Sequence, residues 1–450
     1  MRKKHLWLIL VVLAFSLVVA ACATPQNAVE GVGGEDTAEE VPAEPEVEEP
    51  AEEETEEPAE EPTEEETEEA AAGGEPAACA EDEFGCAVIP PGDTIKIGYG
   101  GPMAGDYAAF GTDISNAGLV AIDNACPPVG DAAFELVIQD TGGSPEGGAA
   151  VANLFVSDPT VVAIAGHTFS GATEAAIPIY DEAGYPMLSP SATNPTLTEM
   201  GSRVFNRIAF TDQVQGEQAA AYLFNVLGVQ NLAVMHDGSA YGQGLAEVVA
   251  AEFEELGGTV VATEPITPGE TDYSAALAAI GALAPDAVYF GGYSAEAAVI
   301  ANQMPTAGLG DAIFFSDDGT YGVDFLNLAG ANAEGAYATS LVPPESEART
   351  EFDAMYEDRF GQPPGVLSPF TWNGYDIVAA LCHVVAETAE VGDDGTVYVP
   401  RGALVDNVRG LTGFQGLSGE ISCNEVGECN TAGPTFFMVQ DGDWVLAPTE

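Results

Sequence analysis

The 450-residue chain carries 73 Asp and Glu against 10 Lys and Arg, a formal net charge of −63. Phosphate recognition needs clustered Lys and Arg, so this balance excludes nucleic-acid binding and attachment to anionic membranes through basic patches. With 46% hydrophobic residues the chain can still build a large core, and its length exceeds one comfortable core.

At the N-terminus, Arg2, Lys3 and Lys4 precede an uncharged apolar run at 6–21. A membrane span needs roughly 20 apolar residues, so this run reads as a secretory signal peptide over 1–21. Its end, Val19-Ala20-Ala21-Cys22, resembles the lipobox of bacterial lipoproteins. That resemblance implies cleavage before Cys22, a diacylglycerol on its thiol, and a lipid anchor as the chain's sole membrane attachment. Residues 22–92 follow as an acidic linker with 25 Asp and Glu and no Lys or Arg. Such a segment buries too little to offset the ordering cost of roughly 1–2 kcal/mol per residue, and is expected to stay disordered and extended. Beyond Cys22, six Cys remain for an oxidising compartment. Cys79 and Cys86 flank a short loop, Cys423 and Cys429 bracket Asn-Glu-Val-Gly-Glu, and Cys126 with Cys382 is left as a long-range pair; other connectivities stay open.

From 94 onward, short apolar runs alternate with amphipathic stretches. The pattern predicts strands at 94–100, 134–140, 161–166 and 186–189, with helices at 107–124, 145–157 and 171–183 between them. It restarts near Arg207: helix 212–227, strand 231–237, helix 241–256, strand 258–266, helix 273–283, strand 287–292, helix 294–307 and strand 312–318. Continuous apolar strands alternating with helices indicate parallel sheets covered on both faces. The expected fold is α/β: two doubly wound lobes joined by a multi-segment hinge. Lobe 1 takes 93–211 plus about 341–413, and lobe 2 takes 212–340 plus about 414–450.

Ligands of open parallel sheets gather beyond the carboxyl ends of the strands. There the sequence places His167 to Ser170, Ser191, Thr193, Tyr241, Tyr293, Asp317 and Asp318, with hardly a cationic side chain. Helix N-termini suit a carboxylate without Arg or Lys. Ser170 reads as an N-cap and Thr193 as a turn residue, and with Asp318 in the opposite lobe they match a zwitterion. A hydrolase pairing of Ser170 with His167 is the catalytic alternative, but no nucleophile-elbow motif surrounds it. Four His, none at metal-ligand spacing, give no metal site, and no dinucleotide fingerprint is present, so no cofactor is expected.

The ordered stretches IKIGYGGPMAGDYAAFG, GHTFSGAT, PMLSPSATNPTLT, AVMHDGSAYGQGLAE, DAVYFGGYSAEAAVIANQ and SPFTWNGYDIVAAL resemble the substrate-binding proteins of branched-chain amino acid ABC transporters. The likeness runs over about 94–445. It implies a type I periplasmic binding protein fold in a lipoprotein form, and a non-enzymatic role outside the cytoplasm. It also implies delivery of a small amino acid to permease subunits driven by a cytosolic ATPase. Carried over residue by residue, Ser170 and Thr193 would hold the ligand carboxylate, and the Ser191 carbonyl and Asp318 the ammonium. Tyr293 would assist, while Phe110, Phe169, Tyr241 and Phe370 would wall the side-chain pocket. Asp318 stands where leucine-binding members often have Glu, and Phe110 where Tyr is common, so ligand identity stays open: urea, short amides, or aromatic or simple carboxylic acids are alternatives. An extracellular sensor is a further alternative.

Overall fold

The computed structural model describes residues 76–430 and 433–449; the expected signal peptide, Cys22 and most of the acidic linker lie outside the described residues. In lobe 1, five parallel strands lie in the spatial order Phe134–Asp140, Ile95–Gly101, Val161–Gly166, Met187–Ser189, Phe205–Arg207. Val161–Gly166 is buried at every position, as a β-branched run covered on both faces should be. Next to it, Ser144 caps the helix Pro145–Ser157 by accepting the Gly147 N–H, with Pro145 pre-set for the first turn. This helix packs closely on Ser170–Ala183: a Cβ on Gly148 would sit 2.3 Å from the Ala172 carbonyl oxygen. The helices Ala108–Ala125 and Thr371–Thr388 form a second packed pair, joined by the disulfide Cys126–Cys382.

Lobe 2 repeats the winding, with parallel strands ordered Thr259–Pro265, Asn231–His236, Ala287–Gly291, Ile313–Ser316, Tyr337–Ser340. Its sheet departs from the all-parallel expectation at one edge, where Thr435–Gln440 and Asp443–Leu446 add as an antiparallel hairpin. Asp441 and Gly442, with φ of 55° and 87°, make the tight turn, and a two-residue connection can only join antiparallel strands. In each lobe the chain order reverses beside the first strand, at Ile95–Gly101 and at Asn231–His236. The crevices of both lobes open above these two switch points.

Two expected boundaries shift. Residues 76–92, read as part of the linker, are folded: Cys86–Ile89 pairs with Val397–Pro400, and Cys79 bonds to Cys86. Asp82 accepts the Gly402 and Ala403 N–H groups at 2.9 and 3.1 Å, capping the helix Arg401–Arg409. Residues 414–430, read as lobe 2, belong with lobe 1. Buried Asp376 accepts the N–H groups of Leu417 and Ser418 at 2.7 Å each, and Arg207 pairs with Glu428. Among the described residues the chain thus crosses between lobes at 208–211 and at 341–346, and after Asn430 in lobe 1 it is next found entering the lobe 2 strand Thr435–Gln440. Among the described residues three disulfides form, Cys79–Cys86, Cys126–Cys382 and Cys423–Cys429, matching the sequence pairing.

Candidate functional site

Loops from both switch points meet over one cavity. Its lining is Phe110, Phe169, Ser170, Ser191 and Phe370 from lobe 1, and Tyr241, Tyr293, Asp318 and Gly319 from lobe 2. The gaps between these groups total about 240 Å³. They are narrow: about 10 Å³ is open to the centre of a water molecule, roughly what a single water requires. A ligand larger than a water molecule can therefore reach this site only if the lobes part. The lobes are closed here. Phe169 stacks on Tyr293 across the cleft, with centroids 4.5 Å apart and an interplanar angle of 22°. Tyr107 adds a tilted contact to Tyr293 at 5.0 Å, and the Asn194 side-chain amide donates to the Ala240 carbonyl. Outside this ring pair lies a wider hollow of about 850 Å³, which shares Phe169, Tyr241 and Tyr293 with the inner cavity and is also lined by Glu174 and Asp237. The stacked rings are a partition between the two.

On the lobe 1 side, Val161–Gly166 ends at Gly166, whose φ of 145° suits glycine, and the Gly166–His167 peptide is cis. The next residues turn inward. Ser170 is the first helical residue rather than the cap expected from sequence; Phe169 holds the cap position because the helix starts one residue earlier. The Ser170 hydroxyl oxygen accepts the Asn194 N–H at 3.3 Å, so its own proton is left to donate into the cavity. Thr193 lies behind the lining; its hydroxyl is fully buried beside the Asp212 carboxyl, without a hydrogen bond of good geometry. The Ser191 hydroxyl is committed to the Thr168 carbonyl, to which it donates at 2.8 Å.

On the lobe 2 side, Asp318 rather than Asp317 lines the cavity. Its Oδ1 accepts from Gln215 Nε2 at 2.5 Å and from the Tyr241 hydroxyl at 2.8 Å. Burial pushes the Asp318 pKa up to about 6, and those two donors restrain the rise. Asp317 accepts the Gly292 N–H at 3.0 Å; burial, then the adjacent Asp318, push it well above the usual carboxylate range. Asp212, first residue of the helix Asp212–Asn225, is fully buried with no hydrogen bond of good geometry to either oxygen; burial followed by Asp318 raises it to about 8, and the neighbouring Thr193 hydroxyl and then Arg207 restrain the rise. Among the described residues none of the ion pairs involves these three carboxylates. Burial and mutual repulsion oppose charge on all three carboxyls at once, and Asp318, with its two donors and its place on the cavity, is the one best able to carry it. One buried negative charge without a cation is the complement of one ammonium.

Eight of the nine expected binding residues line the cavity, and Thr193 stands behind them. Tyr241, expected as apolar wall, instead orients Asp318 through its hydroxyl. Sequence reasoning missed Gln215, Gly319 and Tyr107. Gln215 lies one helical turn after Asp212 and shares its face, a spacing that could have flagged it. The Ser170–His167 catalytic pairing does not form: the His167 ring meets the Tyr180 hydroxyl at 2.9 Å, and burial lowers its pKa to about 3. Trp372 is core, its indole N–H donating to Asp353 at 2.7 Å. No group of three or more His, Cys, Asp or Glu among the described residues is arranged to hold a metal ion, and no helix there is long and apolar enough to cross a membrane.

Two wound lobes closing over a buried cleft, with a carboxylate that has no cationic partner on one side and the Ser170 hydroxyl at a helix start on the other, define a two-lobed solute-binding protein. The family model described as periplasmic binding protein matches residues 94–440, and the chain belongs to that family. It is 31% identical over 330 residues to the leucine-, isoleucine-, valine-, threonine-, and alanine-binding protein of Pseudomonas aeruginosa, covering 72% of this chain and 86% of that one. A second Pseudomonas aeruginosa protein, named amino acid binding protein, is 37% identical over 238 residues, which span 52% of this chain and 63% of that relative. Among solved structures, a leucine binding protein from Thermotoga maritima superposes with a TM-score of 0.71 at 27% identity, covering 79% of this chain and 98% of the other. The branched-chain amino acid transporter substrate binding protein of Streptococcus pneumoniae, in complex with isoleucine, gives 0.68 at 28% identity, with coverages of 78% and 97%.

Proposed function

We propose that this protein captures a small amino acid, a branched-chain aliphatic one first, between its lobes and delivers it to the permease subunits of an ABC transporter. The observation that carries this reading is the pairing within one cavity of the Ser170 hydroxyl and helix end with buried, cation-free Asp318, walled by Phe110, Phe169, Tyr293 and Phe370. The hydroxyls of Ser170 and Thr193 donate to the ligand carboxylate, and the dipole of the helix Ser170–Ala183 adds to them. Asp318 and the Ser191 carbonyl take the ammonium, and the rings exclude water from the aliphatic side chain. Binding favours the closed arrangement because the ligand bridges both lobes, and the closed form is the one offered to the permease. The transport energy comes from the cytosolic ATPase. The names of the relatives in Pseudomonas aeruginosa and Streptococcus pneumoniae support an amino-acid ligand. The protein works outside the cytoplasm, held to the outer face of the cell membrane by lipid on Cys22, and turns over no ester or amide.

A thermal-shift panel on protein unfolded and refolded to remove carried ligand tests this reading. Valine, leucine or isoleucine at about 100 times Kd should stabilise by roughly 2.7 kcal/mol. The corresponding 2-oxo acids should give no shift. A shift from 2-oxo acids alone overturns the ammonium assignment, and no shift from any amino acid overturns the ligand class. Mass spectrometry of the mature N-terminus tests the lipid: a diacylglyceryl mass on Cys22 is expected, and an unmodified thiol refutes the anchor.

A further inference from the structure

Of the seven basic residues beyond the linker, Arg207 is fully buried, and the position of its donors is unusual. Nη1 donates to the Ala192 carbonyl at 3.0 Å and to the Asn194 carbonyl at 2.6 Å, the two carbonyls on either side of Thr193. Nε and Nη2 grip both carboxylate oxygens of Glu428 at 2.9 and 2.6 Å, and Nη2 also reaches Thr198 Oγ1 at 3.3 Å. Such a two-point fork fixes direction as well as distance. Glu428 is fixed in turn. The main chain of Arg207 donates to the Gly427 carbonyl and accepts from the Cys429 N–H, at 2.9 Å each, and Cys429 is tied to Cys423. A Cβ on Gly427 would sit 2.4 Å from the Phe205 carbonyl oxygen, so the disulfide loop lies directly against the strand Phe205–Arg207. The ordered loop passes its position on, because the Asn194 N–H contacts the Ser170 hydroxyl and the Thr193 carbonyl accepts the Asp212 N–H at 3.0 Å.

We propose that Arg207 and Glu428 are positioning residues for the carboxylate grip, with the Cys423–Cys429 loop as the clamp that holds them against the 190–194 turn. The pair touches no ligand. It fixes the backbone on both sides of Thr193 through the Ala192 and Asn194 carbonyls. This inference rests on reading Ser170 and Thr193 as the carboxylate grip.

The test uses Glu428→Gln, which keeps the shape and removes the charge, alongside a Cys423→Ser/Cys429→Ser double variant. Amide hydrogen exchange on the ligand-free protein should speed up at least about tenfold in a 189–196 peptide, with 161–166 unchanged. Calorimetry should show valine affinity falling about tenfold, roughly 1.4 kcal/mol. Discrimination between valine and valinamide should shrink with it, while discrimination between valine and its 2-oxo acid holds, since the ammonium grip is in the other lobe. Wild-type exchange in both variants overturns the proposal, as does an equal loss of both discriminations. Glu428→Asp, one methylene short, serves if Glu428→Gln fails to fold; wild-type-like exchange in it counts equally against the brace. A wild-type protein that binds no amino acid defeats the ligand reading, while the exchange result still decides the brace.

Discussion

Replacing Asp212 with Asn should stabilise the ligand-free protein, and by an amount that depends on pH. Asp212 is fully buried with no hydrogen bond of good geometry to either oxygen, and its pKa is raised from 3.8 to about 8, chiefly by burial and then by Asp318, against a smaller downward pull from the Thr193 hydroxyl and Arg207. Between those two values, folding takes up a proton on Asp212. The contribution is fully favourable below about 4 and is lost as pH rises toward 8. Each pH unit in that window is worth up to about 1.4 kcal/mol, so at pH 7 the wild-type protein forgoes on the order of 4 kcal/mol. Asn has the same shape and no proton to take up. Urea unfolding of both proteins at pH 5, 6, 7 and 8 should give a stability difference that grows with pH and levels off above about 8. A difference that does not change with pH refutes the reasoning, because it would mean that Asp212 is charged and compensated in the folded state. Asp318 should not mimic this above about pH 6, where it is ionised already.

Asp318→Asn should weaken amino-acid binding about ten- to a hundredfold, as expected for a charge-assisted contact of about 1.5–3 kcal/mol, and leave 2-oxo acids unharmed; calorimetry reads both. In the wild type, amino-acid affinity should fall as pH drops below about 6 and Asp318 takes a proton, while Asp318→Asn should show no such inflection. Phe169→Ala removes half of the stacked partition with Tyr293 and should speed ligand release in stopped flow, with a stability cost of about 3 kcal/mol or more. Cys126→Ser with Cys382→Ser opens a link between positions 256 residues apart. It should lower stability by about 2–5 kcal/mol in urea melts while ligand affinity stays within about twofold.

The periodic centre of each lobe was legible because burial on both faces demands it. Phe134–Asp140, Pro145–Ser157 and Val161–Gly166 fall where the apolar pattern puts them. Short pieces were not: Phe205–Arg207 and Tyr337–Ser340 are too brief for a period to show. Residues 76–92 were absorbed into the linker by its acidic composition, although the Cys pair and the apolar Cys86–Ile89 strand sit inside that window. The lobe assignment of 414–430 depends on Asp376 and Arg207, contacts 41 and more residues away, which no local pattern encodes. At the site, the residues at strand ends could be found because the topology puts them there. Gln215 and the Arg207–Glu428 brace act through neighbours, and only three-dimensional contacts reveal them.

A crystal structure of the protein grown with valine tests the central claim most directly. The account predicts the valine carboxylate within hydrogen-bond reach of Ser170 and Thr193 and its ammonium on Asp318, with the side chain among Phe110, Phe169 and Phe370. Valine seated elsewhere, or turned so that its carboxylate faces lobe 2, would contradict it.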